Sequence, residues 1–308
     1  MSTIADRLAA LRAQLNADAL TGFVVPLTDE HMSEYVGDYA QRLAWLTGFG
    51  GSAGSAAVLG QRAAIFTDGR YTVQVREQVP GDLFAYEDVP QTSAAQWLEQ
   101  HATAGDRIGY DPWLHTSAWV KGAAARLAAK GAALVAVAAN PIDRVWADRP
   151  QASLAPLEVH DDQFAGRSSA EKRADVARWL QEKGADAVVI AALDSIAWLL
   201  NVRGRDVSRT PVALAFAILH ADASVDLFTA PEKITPAVAA HMGDAVRCHP
   251  RGAFADALAG FTGKLVAVDP QSCVAAIFAA LESGGARLIE ARDPTMLPRA
   301  IKNPVEIA

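Results

Sequence analysis

The segment Arg7 to Leu15, RLAALRAQL, and the apolar run Phe23-Val24-Val25-Pro26 that follows it decide the fold, because the chain contains both features twice. The second copy is the segment Lys172 to Lys183, KRADVARWLQEK, followed by Ala187-Val188-Val189-Ile190. Apolar residues recur at helical spacing in the longer segments, whereas the short apolar runs are typical of buried strands. The sequence therefore predicts a helix followed by a strand, repeated after roughly 165 residues.

Three later landmarks extend this repeat toward the end of each copy. The first is Ala44-Trp45-Leu46, which recurs as Ala197-Trp198-Leu199. The second is Ile108-Gly109-Tyr110-Asp111-Pro112, which recurs as Val266-Ala267-Val268-Asp269-Pro270. The third is Asn140-Pro141, whose counterpart is Asp293-Pro294. The landmarks follow one another in the same order in both copies. Because solenoid repeats span only about 20–50 residues, this repeat unit is a whole domain.

The length of 308 residues agrees with about two domains. Strand-like runs at residues 63–67, 212–219 and 225–229 show that each unit mixes strands with helices. We therefore expect an α/β protein of two domains, each a sheet with helices packed on its faces. The boundary is expected in the proline-containing stretch at residues 148–156, which gives a first domain at 1–152 and a second at 153–300.

Composition excludes several classes of protein. The formal net charge is −7, which argues against a nucleic-acid partner because such binding needs a basic face. Cys248 and Cys273 are the only cysteines, too few for a disulfide scaffold or a cysteine-ligated zinc site. No apolar run has the length of a membrane helix, and the first residues predict a capped helix rather than a signal peptide. We expect a cytoplasmic protein without a membrane partner.

One glycine-rich stretch matches a catalytic motif. Gly50-Gly51-Ser52-Ala53-Gly54 fits G-x-S-x-G, the nucleophile elbow of α/β-hydrolases. The elbow needs a helix directly after the serine, but residues 55–67 instead predict a hairpin with a turn near Gly60. A glycine-rich turn beside a sheet is therefore favoured, and a hydrolase that uses Ser52 as its nucleophile is the alternative.

Two other segments contain candidate binding residues. In residues 29–35, DEHMSEY, His31 and Glu34 have the spacing of paired metal ligands, but two ligands do not make a site, and a helix cap with a solvated polar face is the favoured explanation. In residues 67–71, TDGRY, Asp68 is a candidate cap for a helix over 71–78, and Arg70 could reach a carboxylate in a cleft. Most of the seven histidines are expected at the surface.

Taken in order along the chain, several motifs resemble the large, three-domain form of aminopeptidase P, also called Xaa-Pro aminopeptidase. The matching strings are residues 29–35, residues 46–54 (LTGFGGSAG), residues 67–71, residues 145–150 (VWADRP), residues 194–207 (DSIAWLLNVRGRDV) with Pro211-Val212, and residues 302–306 (KNPVE). The resemblance covers essentially the whole chain.

This resemblance implies two creatinase-type N-terminal domains, each a mixed sheet flanked by helices, before a catalytic domain of pita-bread fold. In the family that domain holds two divalent metal ions, usually manganese, with two Asp, one His and two Glu. Those ligands would lie beyond residue 308, and no cofactor or metal ligand is assigned within this chain. The enzyme removes an N-terminal residue that precedes proline, so the implied partners are a peptide substrate, the catalytic domain and a second subunit in a homodimer.

By the same resemblance, the first domain makes subunit contacts and forms a wall over the active site. The candidates for its cleft-facing side are His31, Glu34, Tyr35, Phe49, Ser52 and Arg70. Asn303, Pro304 and Glu306 have the positions of a helix start, so we expect residues 301–308 to be the truncated beginning of the catalytic domain. The chain by itself is then expected to be inactive as a peptidase.

One alternative is a natural stand-alone module for binding or dimerisation that has no peptidase activity. A prolidase or a creatinase fits less well, because those forms resemble this chain through only one N-terminal domain.

Overall fold

The computed structural model describes residues 2–308, which form two compact units. The first unit contains the residues up to Asp29 and Asp38–Gln151, and the second contains Glu30–Gly37 and Ala152–Ala308. The division after Gln151 lies one residue from the boundary expected from sequence. The short segment Glu30–Gly37 groups with the second unit, and so does the terminal segment 301–308. A third domain beginning at residue 301 stays a prediction.

The first unit is built on a six-stranded sheet with the order β4-β3-β2-β1-β5-β6. Its strands are β1 Gly22–Pro26, β2 Gly54–Leu59, β3 Arg62–Thr67, β4 Ala85–Asp88, β5 Arg107–Tyr110 and β6 Ala133–Ala136. Its helices are α1 Ile4–Ala17, α2 Arg42–Thr47, α3 Gln74–Gln78, α4 Ala94–His101, α5 Ser117–Ala128 and α6 Pro141–Val145. Strand β1 pairs with β2 antiparallel and with β5 parallel, so the sheet is mixed.

Both faces of this sheet are covered, which explains the uninterrupted apolar strands. Phe23 and Val25 of β1 pack on one face with the leucines of α1, whereas Val24 between them packs on the other face with Trp97 of α4. Successive strand residues point to opposite faces, so each apolar run contributes to both halves of the core.

The second unit repeats this sheet strand for strand, in the order β12-β11-β10-β8-β13-β14. The six strands of this sheet are β8 Ala187–Ile190, β10 Phe216–His220, β11 Val225–Thr229, β12 Val246–Pro250, β13 Leu265–Val268 and β14 Arg287–Glu290. Two further strands, β7 Glu158–Val159 and β9 Val202–Arg203, form a separate antiparallel pair. Its helices are α7 Asp162–Ala165, α8 Ser169–Lys183, α9 Leu193–Leu200, α10 Pro236–Met242, α11 Phe254–Ala259, α12 Ala275–Ser283, α13 Met296–Ala300 and α14 Pro304–Ile307.

The strand directions agree as well as the strand order. Strand β8 pairs with β10 antiparallel and with β13 parallel, as β1 does with β2 and β5. The expectation of two repeated α/β domains with mixed sheets is therefore confirmed. Among residues 2–308, no helix combines the length and the apolar character needed to cross a membrane.

Two predicted elements differ from the structure in their extent. The strand expected over residues 212–219 begins only at Phe216, because the preceding backbone is bound to a side chain instead of a neighbouring strand: the Leu214 N–H donates to the buried Asp206 carboxylate at 2.6 Å. Asp68 does act as a cap, but it caps the short 3₁₀ turn Gly69–Tyr71, and helix α3 begins three residues later.

Polar side chains lie at equivalent places after the parallel strands β5 and β6 of the first unit and β13 and β14 of the second unit. In the first unit the Asn140 side-chain amide donates to the Asp111 carboxylate at 2.9 Å, and the Asn140 side-chain oxygen accepts from the Ile142 N–H at 3.0 Å. In the second unit the counterparts are Asp269 and Asp293, where the Asp293 backbone N–H donates to Asp269 at 2.9 Å. The repeated Asp-Pro and X-Pro landmarks thus tie the closing turn to the preceding strand end.

Replacing Asn140 with alanine should destabilise the first unit. The change removes the cap of α6 and the amide that donates to Asp111, whose pKa is already raised by burial. We expect a loss of about 2 kcal/mol in the free energy of unfolding. Urea unfolding of the full chain, monitored by tryptophan fluorescence, measures it.

The matched control is Asn16→Ala, the same substitution at an exposed position of α1. It should change the unfolding free energy by less than about 0.5 kcal/mol. Equal midpoints for the two variants would show that the Asn140–Asp111 pair contributes nothing to stability.

Candidate functional site

The segment Glu30–Gly37 is held in the second unit by His31. This side chain is 3% exposed, and its ring lies 4.4 Å from the ring of Phe216 in β10. Its Nδ1 lies 2.9 Å from the carbonyl oxygen of Ala191, directly after β8, so Nδ1–H is the donor. Its Nε2 lies 3.1 Å from the Arg251 guanidinium, which can only donate. Both ring nitrogens are therefore used for anchoring.

Glu30 forms a partly buried ion pair with the same arginine. Burial alone raises the pKa of the Glu30 carboxyl, but the charge and the hydrogen bond of Arg251 outweigh it and lower the pKa to about 2. The guanidinium of Arg251 also lies 5.3 Å from the ring centre of Phe216. Arg251 thus contacts both Glu30 and His31 and holds them against the core of the second unit.

The following residues of this segment line an open cleft of about 290 Å³ in the second unit. The residues that follow β8 and β13 lie on its other side, and these two strands are parallel neighbours. Ligands of open α/β sheets commonly bind outside the carboxyl ends of such strands. The polar lining residues are His31, Ser33, Glu34, Tyr35, Asp194, Thr210, Gln271 and Ser272. Asp194 is ion-paired with Arg299, and Tyr35 is 59% exposed.

The other three candidates belong to the first unit, where they surround Tyr71. The Ser52 hydroxyl lies 2.9 Å from the Tyr71 hydroxyl, and this hydrogen bond lowers the pKa of Tyr71. The Arg70 guanidinium lies 5.3 Å from the centre of the Tyr71 ring, and Phe49 contacts that ring edge-on at 5.5 Å. Phe49 itself is 1% exposed and belongs to the core. Tyr71 was missed as a candidate, although its place directly after Arg70 at a strand end could have indicated it.

The surroundings of Ser52 exclude a nucleophile elbow. Ser52 precedes the hairpin of β2 and β3, whereas the elbow needs a serine between a strand and a helix. A side chain at Gly51 would lie 2.8 Å from the Tyr71 ring and would also collide with Phe49, so glycine is required for packing. The glycine-rich turn favoured from sequence is thus the one observed.

Arg70 is presented at the surface by a local ion pair. Its guanidinium donates to both carboxylate oxygens of Asp68, at 3.0 and 2.7 Å, and these hydrogen bonds lower the pKa of Asp68. The Arg70 side chain is 62% exposed. A bidentate arginine–carboxylate pair fixes the orientation of the guanidinium.

The six candidates therefore divide between the units: His31, Glu34 and Tyr35 lie in the second, and Phe49, Ser52 and Arg70 in the first. Within residues 2–308, no group of three or more His, Cys, Asp or Glu side chains is arranged to hold a metal ion. The metal interpretation of His31 and Glu34 therefore has no third ligand among the described residues, and the anchoring contacts of His31 account for its position.

Comparisons with known proteins agree with this repeated architecture. Two models of the creatinase/prolidase N-terminal domain match the chain, at residues 7–145 and 148–306. A probable Xaa-Pro aminopeptidase P of Aspergillus clavatus is 36% identical over 98% of this chain and 48% of its own length, and one of Aspergillus niger is 35% identical over 98% and 51%. X-prolyl aminopeptidase of Caenorhabditis elegans, described as a cytosolic enzyme with a di-nuclear active site, superposes with a TM-score of 0.93 at 27% identity, over 100% of this chain and 53% of that one.

The chain belongs to the creatinase/prolidase N-terminal domain family and contains two tandem copies of that domain. Along its whole length it is similar to Xaa-Pro aminopeptidase P. It spans about half the length of the curated relatives that it matches.

The ion pair of Glu30 predicts how stability depends on pH. Because the pKa is about 2 in the folded chain and near 4.5 when unfolded, the pair stabilises fully above pH 4.5 and is lost as the pH falls toward 2. At neutral pH, Glu30→Gln should cost on the order of 3 kcal/mol, and the cost should shrink below pH 4. Thermal unfolding between pH 3 and pH 7 measures both effects.

The matched control is Glu34→Gln, the same change at an exposed position of the same segment. Exposed ion pairs contribute at most about 1 kcal/mol, so this variant should stay close to the parent at every pH. A Glu30→Gln variant that loses the same stability at pH 3 as at pH 7 would contradict the ion-pair explanation.

Proposed function

We propose that this chain is the N-terminal, non-catalytic region of a metal-dependent Xaa-Pro aminopeptidase, an enzyme that removes an N-terminal residue preceding proline. The observation that carries the proposal is similarity along 98% of this chain to relatives about twice as long. In such an enzyme the chemistry belongs to a C-terminal catalytic domain, and the present chain shapes the approach to it.

The two divalent metal ions of the family do not fit the residues described for this chain. The buried acidic pair Asp269 and Asp293 is the nearest approach to a ligand set, but both carboxylate oxygens of Asp269 and Oδ1 of Asp293 accept N–H or O–H groups. Asp269 accepts from the Gln271 and Asp293 backbones at 2.9 Å, and Asp293 accepts from the Thr295 hydroxyl at 2.7 Å. We therefore assign both metals, manganese by family resemblance, to the catalytic domain, and derive no step through them here.

Within the proposed enzyme, the candidate residues act on the peptide before and around the reaction. Arg70 is oriented by Asp68 and exposed, so it can attract the C-terminal carboxylate of a short peptide. Glu34 and Tyr35 lie at the mouth of the second-unit cleft, where they can contact a longer peptide. His31 acts indirectly, because its ring nitrogens hold the segment that presents Glu34 and Tyr35. Ser52 and Phe49 support Tyr71 and thereby Arg70.

The proposal includes a homodimer and a cytoplasmic location. The homodimer follows from family resemblance. The location is supported by the Caenorhabditis elegans enzyme, which is described as cytosolic. The stand-alone binding module is the competing proposal, and the two differ in whether a catalytic domain follows residue 308.

An activity comparison tests the main proposal. The full polypeptide encoded by the gene, supplied with manganese, should cleave the first bond of an Xaa-Pro-Xaa peptide, whereas residues 1–308 alone should not. Released N-terminal amino acid, measured by chromatography, is the readout. An inactive full polypeptide, or one without a further domain, would favour the stand-alone module; activity in residues 1–308 alone would place the chemistry in this chain.

A second test concerns the cleft-facing role of Arg70. In the active full polypeptide, Arg70→Ala should raise KM for short Xaa-Pro peptides by about tenfold and leave kcat nearly unchanged, because it removes binding rather than chemistry. Steady-state kinetics on peptides of three to eight residues measure this.

The matched control for Arg70→Ala is Arg76→Ala, an exposed arginine of the same unit outside the Tyr71 group. It should leave both constants unchanged. If the two variants behave alike at every peptide length, Arg70 has no part in substrate binding.

A further inference from the structure

Exposed apolar side chains are concentrated near the C-terminal end of the second unit. We define the terminal surface as Val159, Phe164, Leu297, Ile301, Val305 and Ile307. Phe164 is 60% exposed, Leu297 68% and Ile307 74%. These are large side chains that a soluble domain normally covers, and contiguous exposure of this kind marks an interaction site.

Four of the six members of the terminal surface line two grooves. Val159, Phe164 and Val305 line one shallow groove, together with Lys302. Leu297 lines a second groove, which Lys302 also borders. Because Lys302 lies between the two grooves, they form one continuous surface. The first groove has a rim of both signs of charge, with Glu158, Asp161 and Glu306 beside Arg203. An apolar centre with a polar rim is the usual anatomy of a protein–protein interface.

The last helix of the chain is fixed on this surface by Asn303. The Asn303 side-chain amide donates to the Ala165 carbonyl at 2.8 Å, at the end of α7. Its side-chain oxygen accepts from the Val305 N–H at 2.9 Å and starts α14. Gly166 makes this contact possible, because its φ is +67° and a side chain there would collide with Asn303. A four-residue helix has little stability alone, so these contacts hold it in place.

We propose that the terminal surface is the seat of the C-terminal half that the longer relatives possess, within the same polypeptide. This inference rests on the proposed function for the existence of that half, and it adds where the half packs. The relatives match 98% of this chain with only about half of their own length, so they contain a comparable amount of additional chain. Residues 303–307 are themselves part of the terminal surface, so a domain that continues from them starts in contact with it.

The Asn303–Ala165 contact gives this seat a defined geometry. The side chain that caps α14 also binds α7, so the direction in which the chain continues is set by the second unit. The continuing domain can then cover Phe164 and Leu297 without a flexible connection, which lowers the entropy cost of the contact.

Hydrogen–deuterium exchange tests the seat without relying on activity. The full polypeptide and residues 1–308 are compared, and amides of residues 159–166 and 296–307 should exchange at least about fivefold more slowly in the full polypeptide.

In the full polypeptide, Leu297→Ser and Phe164→Ser should abolish that protection and lower Tm. In residues 1–308 the same changes should leave Tm unaltered. The matched control is Leu154→Ser, which alters an equally exposed leucine outside the terminal surface and should change neither readout.

The outcomes separate this inference from the proposed function. Protection in a full polypeptide that lacks Xaa-Pro peptidase activity supports the seat and refutes the function. Activity without protection refutes the seat alone. A monomer–dimer equilibrium of residues 1–308 that Leu297→Ser abolishes, seen by light scattering, would assign the surface to a second copy and overturn the proposal. A full polypeptide with no domain after residue 308 would overturn it as well.

Discussion

The central strand of each sheet is the constraint on which the rest of the structure depends. β1 and β8 each have an antiparallel neighbour on one side and a parallel neighbour on the other; β8 is buried along its whole length, and β1 at every residue except Pro26. Helices must then cover both faces of the sheet, because neither face is polar. The parallel pair places two strand ends and the loops that follow them at one edge. The cleft of the second unit lies at that edge.

The core of the second unit includes a segment from the first repeat. His31 reaches the Ala191 carbonyl and the Phe216 ring, and Arg251 binds both His31 and Glu30. Eight residues of the first repeat are therefore structural parts of the second unit. The two copies of the domain are consequently unequal: the second has an added strap at its strand ends, which supplies half of the candidate binding residues.

The two units have also diverged at equivalent positions. The pair Asp111 and Asn140 is joined through a side-chain amide, whereas Asp269 and Asp293 are joined through a backbone N–H. Both arrangements tie a closing turn to a strand end, so the fold tolerates either. The second unit alone continues into a capped terminal helix, held by Asn303 against α7. Repetition thus determines the sheets, while the segment Glu30–Gly37 and the capped terminal helix are added to the second unit.

The sequence by itself determined what depends on short-range chemistry. The strands Ala187–Ile190 and Val225–Thr229, the cap at Asp68 and the helix start at Asn303 were all predictable, because apolar periodicity and capping residues act within a few positions. Only the tertiary structure decided where residues 30–37 lie, that Ser52 and Arg70 contact Tyr71, and that the Asp206 carboxylate delays the start of a predicted strand to Phe216. These arrangements depend on side-chain contacts that helix and strand periodicity does not encode, from Asp206 with Leu214 across 8 positions to Arg251 with Glu30 across 221 positions.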